Sequence, residues 1–257
     1  MIVRRLGWLL GWLSLLLLLA PLGYACWLSF TPDEFLTPPM RAWSLRWYSE
    51  FFRSPRWTSA LSQSLLVGGL AVLFSLATGL PLAFALARLH FRGKLIVFGS
   101  VLLPLVVPPV LLGIGLLPTV QALGLWGSTL SLAFAHALFG MPIVCWLTRA
   151  ALVGVNPDLE SAARGLGAST GQVLYRVTLP LIAPSVLAGA IMAFVLSLNE
   201  FILSLFLATP ETETLPRVLW PNLRYSLSPL VAVASCITIL VTSAGIGIVA
   251  WLLRARR

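Results

Sequence analysis

Few residues in this chain are of a type and in a place to do chemistry. Glu200 is the single carboxylate within any of the long apolar runs, and an ionisable group at membrane depth is costly enough to mark a function by default. A carboxylate there would meet a cation, or pass a proton together with His136, which lies inside another apolar run. A neutral imidazole would equally serve as a hydrogen-bonded tie between helices, and His136 is read first as that tie and second as a functional group. The other reactive types form no constellation. His90 and His136 are far apart with no ligand cluster around them, which gives no zinc site or histidine-based triad. Cys26, Cys145 and Cys236 lie in or beside apolar runs without CxxC spacing and read as small buried hydrophobes. Lys94, the one lysine, stands between Gly93 and Leu95, so there is no phosphate-binding loop ending in Gly-Lys-Ser/Thr. No catalytic residue, metal or cofactor is expected, and any ATP that powers the protein must be hydrolysed elsewhere.

The elements that position Glu200 and His136 are membrane spans. Of 257 residues, 59% are hydrophobic and 10% charged, which is outside the range of soluble domains and fits a single polytopic membrane domain. The net charge of +9 is spread between apolar runs and not gathered on one polar face, which argues against nucleic acid. Apolar runs place spans at about 6–30, 60–87, 95–117, 128–146, 184–208 and 229–253. The first exceeds the apolar core of a signal peptide and is expected to remain as a helix. The third carries Pro104, Pro108 and Pro109, which cannot share one unbroken helix against lipid. It must kink or unwind where protein or a cavity covers it, as a packing feature or as part of a translocation path. On the fifth, Gly189, Ala193, Ser197, Glu200 and Ser204 make one small and polar stripe that faces other helices or a pathway. Those polar residues, with Asn199 beside the carboxylate and His136 from the fourth span, form the candidate solute pathway. Counting from Pro184 at 1.5 Å per residue, Glu200 falls about 24 Å along a continuous helix, in the outer half of the membrane. Residues 31–59 and 209–227 read as external loops whose Trp43, Trp47, Tyr48, Trp57 and Trp220 suit the membrane interface.

Between the fourth and fifth spans, residues 150–183 form a polar loop with two helical signatures. Asn156 can cap a helix, Pro157 sits where a missing N–H costs nothing, and Asp158 and Glu160 put negative charge in the first turn. Leu159, Ala162, Ala163 and Leu166 line one narrow face of mostly small residues before Gly167. Ser169 and Gln172 have capping-box spacing for a second helix, which Pro180 is expected to close. This is either an ordinary amphipathic pair or a surface shaped for close approach to another protein.

The loop resembles the signature of bacterial ABC-importer permeases, E-A-A, three residues, G, nine residues, I-x-L-P. Here the positions hold Ser161, Ala162, Ala163, Gly167, Val177, Leu179 and Pro180, with Ser161 in place of Glu and Val177 in place of Ile. Glu160 lies about 100° around the helix from Ser161 and is not a simple substitute for the missing carboxylate. From His136 through Pro142, and again around Leu215, Pro216, Trp220, Leu223, Arg224, Tyr225 and Pro229, the chain is similar to permeases of the spermidine/putrescine group.

The resemblance implies an all-α membrane protein with six transmembrane helices and a cytoplasmic coupling-helix loop between spans four and five. Its loop residues, Glu160, Ser161, Ala162, Ala163, Gly167, Leu179 and Pro180, would couple to ABC ATPase subunits. A second, related permease chain would pair with this one, and a periplasmic solute-binding protein would deliver a small solute. A polyamine is the implied cargo; relatives with similar segments carry aminophosphonates, metal ions or other solutes. Eleven Lys and Arg residues fall on the side of the termini and this loop against six on the other, which places both termini in the cytoplasm of a bacterial inner-membrane protein. A channel or secondary transporter using Glu200 and His136 is the rival reading, though no inverted repeat is visible. A non-transporting scaffold is the other, and it leaves Glu200 unexplained.

Overall fold

In the computed structural model, the residues described are 2–34, 36, 42–225 and 228–254, without the side chains of residues 2–4, 252 and 253. Arg41, Arg256, Arg257 and Leu227, used above for charge and loop bounds, lie outside them, as does the side chain of Arg4. In chain order the helices are α1 Ile2–Leu28, α2 Arg46–Arg53, α3 Pro55–Arg88, α4 Lys94–Val106, α5 Pro109–Ala122, α6 Thr129–Gly154, α7 Pro157–Gly165 and α8 Thr170–Val173. After a π turn at Leu174–Thr178 come α9 Leu179–Asn199, α10 Ile202–Leu207, α11 Leu215–Tyr225 and α12 Pro229–Arg254. Among the described residues, five segments are long and apolar enough to cross a membrane, and α4 with α5 passes the same test as a sixth although the pair is bent by 100°.

The bend follows from the prolines. Val107 precedes Pro108, and Pro108 precedes Pro109; a residue before proline is pushed out of the helical region, and both are extended, with ψ of 130° and 131°. Pro109 then starts α5 at the position where its missing N–H costs nothing. Pro104, by contrast, stays inside α4.

The chain forms two compact units. One comprises Met1–Ser59 and Val218–Ser243. Here the segment after α1 folds back on its aromatics: α2 buries Trp47 and Phe51, Trp47 Nε1 donates to the Asp33 carbonyl at 3.0 Å, and the Tyr48 and Ser29 hydroxyls lie 2.7 Å apart. The most apolar window of α1 has no residue buried within the chain, so lipid or another chain must cover Leu9, Trp12, Leu16 and Leu17.

The other unit comprises Ala60–Arg217 and Ala244–Arg257. Its centre is the pairing of α6 with α9, and small residues set the approach. A Cβ on Gly189 would lie 3.1 Å from the Val144 Cα. A Cβ on Gly140 would meet the Ser75 hydroxyl and stand 2.8 Å from the Ala193 Cβ. Such contacts bring helix backbones together in membranes, where packing rather than water drives association. One apolar cluster gathers Val67, Leu132, Leu203 and Leu207; a second gathers Leu86, Val101, Leu152 and Ile182 toward the loop that carries α7.

Candidate functional site

The coupling loop is built as its caps dictate. Asn156 Oδ1 accepts from the Asp158 N–H at 3.0 Å, Pro157 follows, and α7 ends where Gly167 takes φ +89°. The turn closes with Gly167 N–H to the Arg164 carbonyl at 2.9 Å and Ala168 N–H to the Ala163 carbonyl at 3.1 Å. The Ser169 and Gln172 bonds form reciprocally at 3.4 and 2.8 Å, a complete capping box. The helix does not close at Pro180, as the sequence led us to expect. It continues from Thr170 to Asn199 as one apolar segment, because the π turn intervenes. Leu179 N–H bonds the Leu174 carbonyl, five residues back, which shifts the ladder one residue before proline withdraws its donor.

No residue of α7 is fully buried. Its outward face presents Leu159, Ser161, Ala162 and, just beyond its end, Leu166 and Gly167, all exposed; Leu166 is 90% exposed and Tyr175 of the π turn 71%. Ala163 and Leu179 are half-buried and Pro180 exposed. Ser161 bonds only back into its own helix, to the Pro157 carbonyl at 3.1 Å. Glu160, about 100° around the helix from Ser161, faces the other way. Its side chain is 12% exposed, and Oε1 receives Arg88 at 2.8 Å and the Thr178 hydroxyl at 3.0 Å. The rotation of one residue along the helix turns the carboxylate inward.

The candidate pathway residues also separate. The fifth span is not a continuous helix through Glu200: α9 ends at Asn199, Glu200 is extended at ψ 111°, and α10 starts at Ile202. Glu200 Oε1 accepts from the Leu203 N–H at 2.8 Å, so its carboxylate caps the second piece. Across the break, His136 joins both pieces, with Nδ1 2.8 Å from the Ser197 hydroxyl and Nε2 3.2 Å from that of Ser204. All three are buried, and His136, Ser197 and Ser204 satisfy one another's hydrogen bonds. Glu200 is half-buried and Asn199 exposed. The Asn199 amide donates to the Val195 carbonyl at 2.8 Å. Thus the small stripe of α9 packs against α6, while Glu200 and Asn199 are the less enclosed of the candidate pathway residues.

Removing the tie has a measurable consequence. His136→Ala leaves two buried hydroxyls without their partner and a cavity between α6 and the break. We expect a loss of about 1–2 kcal/mol of stability, read as a lower thermal midpoint of the detergent-solubilised protein and less protein in the membrane.

No cluster of three His, Cys, Asp or Glu residues suited to a metal occurs among the described residues. Residues 79–257 match the model of the family described as "Binding-protein-dependent transport system inner membrane component". The chain belongs to that family. It is a multi-pass inner-membrane permease component, a transporter subunit. Among curated relatives, the putrescine transport system permease protein PotI of Escherichia coli (strain K12) is 31% identical over 248 residues, covering 93% of this chain and 87% of PotI. The molybdenum transport system permease protein ModB of the same strain is 37% identical over 182 residues, 65% of this chain and 79% of ModB. In the fold, the permease matches a chain of a bacterial alginate ABC transporter solved in complex with an alginate-bound periplasmic protein, with TM-score 0.73 and 17% identity over 96% of this chain and 92% of that one.

Proposed function

We propose that this permease subunit passes a polyamine such as putrescine into the cytoplasm, driven by ATPase subunits that dock on α7 and the turn after it. The observation that carries this reading is the likeness to a putrescine permease along nearly the whole chain. The loop supports the docking half: Leu159, Ala162, Leu166 and Tyr175 are exposed apolar or small residues on an otherwise polar segment, the kind that a partner groove covers. A second, related permease chain covers part of α1, and a periplasmic protein hands over the solute. Glu200, beside exposed Asn199, is the carboxylate that a cation meets. The likeness to ModB favours a second reading, in which the solute is a molybdenum species.

The periplasmic protein that associates with the complex separates the two. It should be captured by cross-linking in cells, purified and titrated by calorimetry with putrescine and with molybdate. Putrescine binding supports the first reading; binding of molybdate alone replaces it with the second.

Both termini are cytoplasmic in this proposal. Single cysteines at Ser44 and Thr212, in a background without the native three, should react from the periplasm with an impermeant thiol reagent, while one at Thr170 should not. Labelling of Thr170→Cys from outside inverts the orientation.

A further inference from the structure

We infer that Glu160 is the internal post that fixes the docking helix to the membrane helices, so that α7, the cytoplasmic end of α3 and the start of α9 move as one body. This inference rests on the proposed docking of an ATPase at α7. Two other elements, and a neighbour on α7 itself, converge on this one carboxylate. Arg88, the last residue of α3, reaches Oε1 at 2.8 Å; Thr178, the last residue of the π turn that leads into α9, donates to the same oxygen at 3.0 Å. Arg164, one turn along α7, stands 3.6 Å from Oε2. The carboxylate is 12% exposed and Arg88 27%, so this pair is screened by solvent far less than a surface pair.

The rest of α7 has little else to hold it. It is nine residues long, and apart from Glu160 and the half-buried Ala163 its residues are exposed; a helix that short owes its position to tertiary contacts and not to its own cooperativity. Its caps fix its ends but not its placement against the membrane helices. A force applied to the outward face, at Ala162 or Leu166, therefore reaches α3 and α9 through Glu160. Charge-assisted bonds of defined geometry suit that task because they resist sliding where apolar contact does not. The π turn adds the second requirement. It is the point at which α9 departs from ordinary helical bonding and so the natural place for it to flex, and Thr178 pins its last residue to the post. Ser161, the next residue, faces outward and has no such role. Glu160 is thus a positioning residue for coupling and not a contact with the ATPase.

The test uses the whole complex, purified through this chain with the ATPase that accompanies it and reconstituted in liposomes with its periplasmic protein. Three readouts are taken together: the amount of ATPase retained, ATP-driven uptake of radiolabelled putrescine, and the distance between spin labels at Arg92→Cys and Thr170→Cys. In Glu160→Ala, ATPase retention should be unchanged, while uptake falls about tenfold, the scale expected when a coupling contact is cut. The label distance, single and narrow with or without ATP in the parent protein, should broaden and become sensitive to ATP. Arg88→Ala should do the same. The charge exchange Glu160→Arg with Arg88→Glu should narrow the distance again and restore roughly a third of the rate, since a restored pair shows as coupling in a double-mutant cycle. Loss of the ATPase from Glu160→Ala would make Glu160 a docking contact and overturn the post. So would an unchanged rate and distance in that variant, or an exchange that rescues neither. A parent complex that ignores putrescine rejects the solute reading alone, because the distance and the retained ATPase still report on the post.

Discussion

Ala162→Arg and Leu166→Arg are expected to strip the ATPase from the complex and to stop ATP-driven uptake, with the chain present in the membrane at its normal level. Both residues are exposed in the single chain, Leu166 at 90%, so the fold itself loses little when they change. At an interface the outcome differs. An unpaired guanidinium in a close-fitting groove costs at least about 2 kcal/mol, roughly a thirtyfold loss of affinity. Gly167 is the less clean site for this experiment. Its φ of +89° means that any other residue carries about 1–2 kcal/mol of backbone strain, so Gly167→Asp would disturb the turn as well as the surface. Copurification after mild solubilisation reads the result. Retention of the ATPase by both arginine variants, with normal uptake, removes α7 as the docking element.

Glu200→Gln should leave assembly intact and reduce putrescine uptake about tenfold or more, the effect of losing at least about 1.4 kcal/mol of charge interaction along the path. The amide oxygen still accepts from the Leu203 N–H, the bond that now caps α10 at 2.8 Å, so the break keeps its geometry while the charge disappears. Glu200→Asp keeps the charge on a shorter arm and should retain part of the rate. Glu200→Ala loses both charge and cap and is expected to be the worst of the three. Equal uptake by the Gln variant and the parent protein assigns Glu200 to capping alone and removes the main physical argument for a cationic solute.

The parts of the fold read most directly were those dictated by local chemistry. The caps at Asn156 and Ser169, the turn at Gly167 and the bend at Pro108 each depend on a residue whose own backbone or side chain sets the geometry. The apolar runs overlap the long helices of the structure but stop short of some of their ends. Helix α3 begins at Pro55 and α6 runs to Gly154, where interfacial residues continue a helix that hydropathy no longer marks. What sequence periodicity missed were features held by distant partners. Nothing at Glu200 or Phe201 breaks a helix by itself; the break is held by a carboxylate three residues before a free N–H and by a histidine 61 and 68 residues away from the serines it joins. The spacing of Glu200 and Leu203 was the one local signal available. Glu160 behaved alike. Helical geometry showed that it points elsewhere than Ser161, but its direction acquires meaning only when Arg88 arrives from α3, 72 residues earlier. The π turn carries no compositional mark, and Pro180 argued for a stop that the shifted hydrogen bonds make unnecessary.

The central claim is that this chain, with an ATPase docked at its coupling loop, moves a polyamine inward. It is tested most directly by uptake of radiolabelled putrescine into proteoliposomes that hold the complex with ATP inside and receive the periplasmic protein outside. Accumulation should require internal ATP and the periplasmic protein, be competed by unlabelled putrescine, and be lost with Leu166→Arg. Putrescine accumulation that proceeds equally without ATP, or no accumulation while molybdate is taken up under the same conditions, would contradict it.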